Sequence, residues 1–442
     1  MSVRRDAWHG DGGGAGRPPR LVLVLPSTTY RASDFLEAAR SVGAEVVVAS
    51  DGSQAMAETM GAGALTVPVD DPQAAGQRIA AHAATGPIDA VIGVDDRGVR
   101  AATVAAEQLG LAHNPLAAVT AAARKDRQRA AFAAAGVPQP AVAVVGGQGE
   151  GALPAFGGSS EDVAKAARHV GLPCVLKATT RSASQGVIRA DSPGEAAGAA
   201  ERIRRIVAAA GDDPGQPLMV EAFAPGAEVA VEGVLHGGEL EVLAVFDKPD
   251  HPDGPTFEET VYVTPSRLPA TALAPLETAV AQAAAALGLR EGPIHAEARV
   301  DVDARRVAML EVAARSIGGL CSRALRFGAA TSLEELLVRH ALGLRTDRAR
   351  RELSASGVLM LPIRQRGWLA GVEGVETARA VPGVEEVALT VTPGQELVPV
   401  PEGNRYLGFA FARGATPADV EASLAQVQQA LQVRVQAGVA SA

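Results

Sequence analysis

The chain has 442 residues, 47% of them hydrophobic, and a formal net charge of −9 at pH 7. This length predicts several packed units rather than a single core, and the hydrophobic content argues against intrinsic disorder. The acidic balance argues against a nucleic-acid partner, because proteins that bind the phosphate backbone gather Lys and Arg on one face. We therefore expect a folded protein whose partners are small molecules.

Two cysteines, Cys174 and Cys321, occur without the C-x-x-C spacing of a redox or zinc motif, as is usual in a reducing compartment. Residues 1–19 are rich in Gly, Arg and Asp, lack the apolar run of a signal peptide, and are predicted to form a disordered tail. The sequence contains no uninterrupted apolar run of about 18 residues, so no membrane span is predicted. These features indicate a cytoplasmic protein, with a homodimer left open.

The N-terminal segment, residues 20–118, alternates predicted strands with predicted helices. The strands are predicted at 21–25, 45–49 and 90–94, and the helices at 35–42 and 100–109. This alternation predicts an open α/β sheet. The first strand is followed by Pro26-Ser27-Thr28-Thr29, which lacks the glycines of a dinucleotide-binding turn and argues against a dinucleotide-dependent oxidoreductase.

The remaining chain predicts a first lobe at 119–210, a second lobe at 211–350 and a small α+β cap at 351–442. The first lobe has predicted helices at 125–135, at 160–170 with Ser160 as cap, and from Ser192 toward Ala208, with a strand at 174–178 and a Gly-rich loop at 141–158. The second lobe has predicted strands at 218–222, 227–234, 241–246, 294–300 and 307–312, and an Ala-rich helix at 275–287. The cap has predicted strands at 357–362 and 387–391 and a helix that begins at Thr416-Pro417. The predicted fold class is α/β and α+β.

The most informative segment is a predicted hairpin that carries two glutamates. If its turn is centred on Ala304, Glu297 lies directly opposite Glu311, with Cβ atoms about 5 Å apart. Two carboxylates this close repel each other unless a cation lies between them, and Mg²⁺ commonly binds carboxylates together with substrate phosphates. The pair is therefore predicted to hold one or two Mg²⁺ ions, with Mn²⁺ as a substitute. The alternative interpretation is a solvated hairpin with ordinary Glu–Arg pairs.

The nucleotide site has to be built without a Walker A motif, because G-x-x-x-x-G-K-[ST] does not occur. Lys177 ends a predicted buried strand and precedes a small polar loop, residues 179–186, whose backbone amides could wrap phosphate oxygens. Lys125, at the start of its helix, is a second candidate phosphate ligand. Each lysine taken alone could equally be a surface charge.

The order of these features resembles the ATP-grasp superfamily, and within it the L-amino-acid ligases. The resemblance covers nearly the whole chain and implies an ATP-grasp fold with an N-terminal pre-ATP-grasp domain and a small C-terminal domain. It implies that Glu297 and Glu311 hold the metal. It also implies that ATP is bound by Lys125, Lys177, Ser184, Gln185, Gly186, the adenine hinge Glu221, Ala222, Phe223 and Ala224, and the ribose ligand Glu228.

The resemblance further implies a pocket for small-molecule carboxylate and amine substrates. Glu259 would face the amine, and Arg315 would bind a phosphoryl or carboxylate oxygen. The other implied pocket residues are Tyr262, Gly318 and Gly319, the glycine pair leaving room for a bulky group or forming a plain turn. Asp96, at the end of strand 90–94, is predicted to cap the next helix, with a contact to a substrate amine as the alternative.

One position departs from the family pattern E-x-N-x-R, because Ala313 stands where the asparagine often helps to hold a second metal ion. The number of ions is therefore left open. The implied reaction activates the carboxylate of an amino acid or related small acid as an acyl phosphate and couples it to an amine, releasing ADP and phosphate. The alternatives are a bicarbonate-using carboxylase-type relative and an inactive nucleotide-binding module.

Overall fold

The computed structural model describes residues 17–27, 29–52, 63–147, 151, 153–250, 253–328, 330–346 and 350–437. Most of the predicted tail, residues 1–16, lies outside these ranges. The N-terminal part is a parallel sheet of four strands, β1 (Arg20–Val24), β2 (Glu45–Ser50), β3 (Gly63–Thr66) and β4 (Ala90–Gly93). Their spatial order is β3-β2-β1-β4. The helices of this part are α1 (Ala32–Ser41), α2 (Pro72–His82) and α3 (Asp96–Leu109), and a short 3-10 helix spans Ala83–Thr85. The predicted open α/β sheet is confirmed.

The junction between β1 and α3 is unusually close. The Asp95 side chain caps α3 by accepting hydrogen bonds from the backbone N–H groups of Arg97 and Gly98, so the prediction that Asp96 is the cap is wrong by one residue. Gly98 faces the end of β1, where an added Cβ would lie 2.3 Å from the Val24 carbonyl oxygen. The sheet edge and the helix start can therefore meet only because this position has no side chain.

This contact gives a stability prediction. Gly98→Ala is expected to lower the free energy of unfolding by about 2 kcal/mol, because the new methyl group has to displace backbone. Gly198→Ala is the matched control: it lies in a helix with no atom within 4 Å of its ideal Cβ, and there alanine is expected to stabilise by up to about 1 kcal/mol. Urea unfolding curves of both variants test this, and equal effects of the same sign would contradict it.

The first lobe is built on a sheet of five strands, β5 (Val142–Val145), β6 (Ala155–Phe156), β7 (Cys174–Ala178), β8 (Val187–Ala190) and β9 (Leu218–Ala222). Their order is β6-β5-β9-β7-β8, so the strand predicted at 218–222 in the second lobe belongs to the sheet of the first lobe. The helices of this stretch are α4 (Leu116–Ala122), α5 (Lys125–Ala135), α6 (Ser160–Val170) and α7 (Pro193–Ala209). The predicted loop at 141–158 is wrong at β5, because four apolar residues there are fully buried and pair with β9. The N-cap of α6 is Ser159, in a capping box with Asp162, rather than Ser160.

The second lobe and the predicted cap share one sheet. The strands are β10 (Ala227–His236), β11 (Glu239–Asp247), β12 (Val261–Thr264), β13 (Gly292–Asp301), β14 (Arg306–Ala313), β15 (Arg326–Phe327), β16 (Thr331–Ser332), β17 (Ala355–Leu361), β18 (Gly367–Glu373), β19 (Val384–Leu389), β20 (Glu396–Leu397), β21 (Gly408–Gly414) and β22 (Gln432–Gln436). Eight of these thirteen strands form the shared sheet, in the order β14-β13-β10-β11-β12-β17-β21-β19. The hydrogen-bonded ladder thus continues across the predicted boundary at residue 350, and the domain limits remain predictions.

The helices of this half are α8 (Ala270–Leu287), α9 (Leu333–Ala341), α10 (Val375–Arg379) and α11 (Pro417–Ala430), and a 3-10 turn spans Cys321–Ala324. Helix α8 begins five residues before its predicted start and contains Pro275. Within the described ranges it is the one helix long and apolar enough to cross a membrane. Seven of its residues are buried, and they pack in one hydrophobic cluster with α4, α5, β10 and β13. Its apolar character is thus accounted for as the core helix of the second lobe.

Candidate active site

A cavity of about 400 Å³ opens where the N-terminal sheet, both lobes and the C-terminal strands meet. Sixteen of the eighteen residues predicted for the site line it. They are Asp96, Lys125, Lys177, Ser184, Glu221, Ala222, Phe223, Ala224, Glu228, Glu259, Tyr262, Glu297, Glu311, Arg315, Gly318 and Gly319. The cavity therefore unites residues that lie up to about 220 positions apart in the chain.

The two predicted metal ligands pair as expected, but through a different geometry. The turn occupies residues 302–305, and near it the register of β13 and β14 pairs Asp301 with Arg306 and Ala298 with Met309. Continued without a break, that register would leave Glu297 opposite Leu310. A β-bulge shifts it by one residue, so that Glu297 lies opposite Glu311.

The bulge is held by helix α5. Buried Arg129 donates hydrogen bonds from its guanidinium to the carbonyl oxygens of Met309, at 2.6 Å, and Leu310, at 2.9 Å. The Gln128 side chain accepts from the backbone N–H of Val312 at 2.9 Å. These side chains form hydrogen bonds with backbone groups that have no partner where the β13–β14 ladder is interrupted. The facing of the two glutamates therefore depends on α5 as well as on the hairpin.

Lys248 is buried behind the acidic end of the cavity, against three carboxylates that line it. Its Nζ is 2.9 Å from Glu228, 2.5 Å from Glu259 and 3.0 Å from Glu297. Burial alone would lower the pKa of Lys248, but the three carboxylates outweigh it and hold that pKa well above its ordinary value. Burial raises the pKa of Glu259 to about 7 against the opposing charge of Lys248. Burial also opposes ionisation of Glu297, but Lys248 and His295 hold its pKa well below its ordinary value.

The predicted metal ligands are paired with lysines in this structure. One oxygen from each of Glu228, Glu259 and Glu297 lies within 4.8 Å of the others, and the Lys248 ammonium takes the place of a cation among them. Glu311 pairs instead with Lys125, whose Nζ is 2.9 Å from its Oε2. Carboxylate oxygens are the donors that Mg²⁺ prefers, so Glu297 and Glu311 have the donor chemistry of the predicted metal once the lysines turn to other partners.

Glu221 has a different environment from the one its hinge assignment implies. Its carboxylate is 1% exposed and is paired with Arg129 at 2.5 Å and with Lys177 at 2.6 Å. Burial would raise the pKa of Glu221, but these two cations lower it to about 2. The side chain thus positions Lys177 and Arg129, while Ala222, Phe223 and Ala224 line the cavity beside it.

This buried pair gives a prediction on pH. Because the folded-state pKa of Glu221 is below its ordinary value of 4.5, its contribution to stability is complete above about pH 4.5 and is lost as the pH falls toward 2. Glu221→Gln is expected to lower the free energy of unfolding at pH 7 by about 3 kcal/mol or more. The difference from wild type should shrink between pH 4.5 and 2 in urea titrations. Glu277→Gln, at an exposed position of α8, is the control, and a pH-independent difference would contradict the prediction.

Arg315 and Asp96 join the second lobe to the N-terminal sheet. The Arg315 Nε donates to Asp96 Oδ1 at 2.9 Å. Burial would raise the pKa of Asp96, but the charge of Arg315 lowers it, and Asp96 in turn raises the pKa of Arg315. Both groups are therefore charged at neutral pH and lie at the cavity wall, ready for ligands of opposite sign.

Gly318 and Gly319 have different roles. At Gly318 an added Cβ would meet only the tip of Arg315, at 3.9 Å, so this position does leave room. Gly319 has φ +64° and an added Cβ there would lie 2.8 Å from the Phe409 ring, so the predicted space is already filled. Gly319 is required by the backbone and by Phe409.

Two predicted nucleotide residues do not line the cavity. Gln185 donates from its side chain to the Glu402 carbonyl oxygen at 2.7 Å, and the Gly186 N–H donates to the Pro401 carbonyl oxygen at 3.0 Å. In the same loop Ser184 does line the cavity. Gln185 and Gly186 thus attach the small-lobe loop to the C-terminal region and are not in position to wrap phosphate.

Several residues of the site were not assigned a role from the sequence. Lys248 is one of them, and its position directly after β11 was a usable signal. His295 pairs with buried Glu232, and although burial lowers the pKa of His295, Glu232 raises it to about 9. Asn404 and Tyr406 reach the cavity from the C-terminal region, and no sequence pattern marked them.

Three segments of the chain match protein-domain families. Residues 36–113 match the ATP-grasp N-terminal domain, residues 170–324 the ATP-grasp domain, and residues 359–436 the L-amino acid ligase C-terminal domain 2. The chain therefore contains the N-terminal and central domains of ATP-grasp ligases, followed by a C-terminal domain of the L-amino acid ligase type. The C-terminal match confirms the resemblance to the L-amino-acid ligase branch, and the other two confirm the resemblance to ATP-grasp proteins in general. No curated protein sequence matches the chain.

Solved structures support the same fold at low sequence identity. The L-amino acid ligase from Bacillus licheniformis has a TM-score of 0.75 and 22% identity, covering 95% of this chain and 100% of its own. Carboxyaminoimidazole ribonucleotide synthase from Aspergillus clavatus, complexed with ATP, has a TM-score of 0.69 and 18% identity over 93% and 98% of the two chains. The biotin carboxylase domain of the Hydrogenobacter thermophilus 2-oxoglutarate carboxylase, in complex with MgADP and bicarbonate, has a TM-score of 0.67 and 15% identity over 95% and 92%.

Proposed function

We propose that this protein is an ATP-dependent carboxylate–amine ligase that activates an amino acid or related small acid as an acyl phosphate and couples it to an amine. The observation that supports it best is the convergence on one cavity of the Glu297–Glu311 pair, two lysines and Arg315. The cavity opens between the N-terminal sheet, both lobes and the C-terminal strands. Its partners are then small molecules in the cytoplasm.

ATP binds across the two lobes in this proposal. Lys125 and Lys177 contact phosphate oxygens, exchanging their present carboxylate partners Glu311 and Glu221 for the nucleotide. The Phe223 ring lies at the hinge. The guanidinium groups of Arg189 and Arg299 lie 4.7 and 5.0 Å from the centroid of that ring. Glu297 and Glu311 would hold Mg²⁺, which would neutralise charge on the phosphates. Ala313 adds no donor atom, so these two carboxylates are the hairpin's contribution.

The positions of these groups support a two-step reaction. The substrate carboxylate attacks the γ-phosphorus in line, forming an acyl phosphate while the bond to ADP breaks. The amine then attacks the carbonyl carbon, the amide bond forms and phosphate leaves. Arg315 stabilises the negative charge on the reacting oxygens, and Glu259 binds the amine and accepts its proton. Asp96 competes for Arg315 in the absence of substrate.

A phosphate-release screen tests the proposal. Wild-type protein with Mg-ATP is expected to release phosphate only when an acid and an amine acceptor are both supplied, with pairs of amino acids tested first. Mass spectrometry should detect the amide product. Release that depends on bicarbonate without any amino acid would favour the carboxylase alternative. No release with any pair, together with intact ATP binding, would favour the inactive-module alternative.

A further inference from the structure

A second group of metal-binding side chains lies outside the active-site cavity. One ligand atom from each of His236, Glu291 and His340 lies within 4.8 Å of the other two. His236 ends β10, Glu291 immediately precedes β13, and His340 is in the last turn of α9. None of the three lines the cavity that holds the paired glutamates. The group therefore needs its own explanation.

The backbone fixes Glu291 at this point. The Asn114 side chain donates to the Glu291 carbonyl oxygen at 2.7 Å and accepts from the Glu291 N–H at 2.9 Å. The N–H of Gly237, in the turn directly after His236, donates to the Glu291 carboxylate at 3.0 Å. A carboxylate oxygen can accept more than one hydrogen bond or ligand. Glu291 is thus oriented toward His236 while keeping capacity for a metal ion.

The two histidines approach each other edge to face. Their ring centroids are 5.8 Å apart with an interplanar angle of 80°. His340 is half-buried in α9, and His236 is exposed. Two imidazole nitrogens and one carboxylate oxygen are the donors of Zn²⁺ and neighbouring late first-row metals. Mg²⁺ and Ca²⁺ prefer oxygen donors throughout, so the ion of the active site does not suit this group.

We propose that His236, Glu291 and His340 form a binding site for a late first-row divalent cation, represented here by Zn²⁺, with water completing the coordination. Three protein ligands and one open position make an accessible site rather than a closed structural one. Its ligands come from the β10–β11 turn, the start of β13 and the end of α9. A bound ion joins these three segments and stabilises the folded protein by mass action.

The test is a zinc titration of tag-free, chelator-treated, full-length protein in saturating Mg²⁺, read with a competing chromogenic chelator and by thermal unfolding. Wild type is expected to bind one equivalent outside the active site and to gain thermal stability. His236→Gln should weaken the zinc affinity by at least about tenfold, because one of three ligands is lost. Since His236 is exposed, the melting temperature of the His236→Gln variant without zinc should equal that of wild type. His169→Gln, at an exposed position of α6, is the matched control and should bind zinc as wild type does.

A second variant separates this site from the active site. Glu311→Gln should still bind one equivalent of zinc and gain the same thermal stability from it, because Glu311 lines the active-site cavity. Zinc binding that is lost in Glu311→Gln and kept in His236→Gln would overturn the proposal. So would wild-type protein that binds no zinc under these conditions. Neither result would affect the proposed ligase activity, which the phosphate-release screen tests independently.

Discussion

Glu311→Gln is expected to lower Mg²⁺-dependent ATP turnover by about a thousandfold or more, because the charge that helps to hold the metal beside the phosphates is removed. The amide preserves the size of the side chain and its place opposite Glu297. Phosphate release at saturating ATP, acid and amine is the measurement. ATP affinity in EDTA should stay close to that of wild type or rise, since a negative charge near the phosphates is gone.

The matched control is Glu277→Gln, which makes the same chemical change at an exposed position of α8. It should turn over ATP at the wild-type rate. Turnover that is unchanged in Glu311→Gln would contradict the metal assignment of the hairpin. It would leave Glu228, Glu259 and Glu297, around Lys248, as the remaining carboxylates able to hold an ion there.

Arg315→Lys is expected to lower kcat/KM for the acid substrate by about a hundredfold, because the lysine keeps the charge but cannot make a bidentate contact to a carboxylate or phosphoryl group. ATP affinity should change little, since Lys125 and Lys177 carry that contact in the proposal. Steady-state kinetics with the acid varied at saturating ATP is the measurement. A loss confined to ATP affinity would assign Arg315 to the nucleotide instead.

Asp96 provides the control for this second prediction. Asp96→Asn removes the charge that holds Arg315 in the absence of substrate, at 2.9 Å. If the ion pair only stabilises the fold, Asp96→Asn and Arg315→Lys should affect unfolding alone. If Asp96 binds the substrate amine, its loss raises KM for that amine and leaves KM for the acid lower or unchanged. The two kinetic patterns are therefore distinguishable.

The sequence predicted a strand or helix correctly where the local residue pattern agrees with the environment of that element in the fold. The apolar run predicted at 21–25 coincides with strand β1, which is buried at every position, as its lack of alternation predicts. Gly110 and Gly136 end helices α3 and α5 in the left-handed conformation expected of them. Such features depend on a few neighbouring residues, so they can be predicted without knowing the rest of the chain.

The pairing of Glu297 with Glu311 was predicted correctly, but the turn position assumed for it was wrong. The turn is centred half a residue before Ala304, and the uninterrupted register would have separated Glu297 from Glu311. Arg129 and Gln128, about 180 residues earlier, satisfy the backbone at the bulge that restores the pair. A bulge whose support comes from another part of the chain cannot be derived from the hairpin sequence.

The sequence alone determined part of the strands and helices, the resemblance to ATP-grasp proteins and most of the charged residues that line the cavity, because periodicity, caps and motif order are local. The tertiary structure decided the partners of those charges. It placed Lys248 among three carboxylates, turned Gln185 and Gly186 toward Pro401 and Glu402, and paired Arg315 with Asp96. Electrostatic environment depends on distances across the fold, and sequence spacing does not contain those distances.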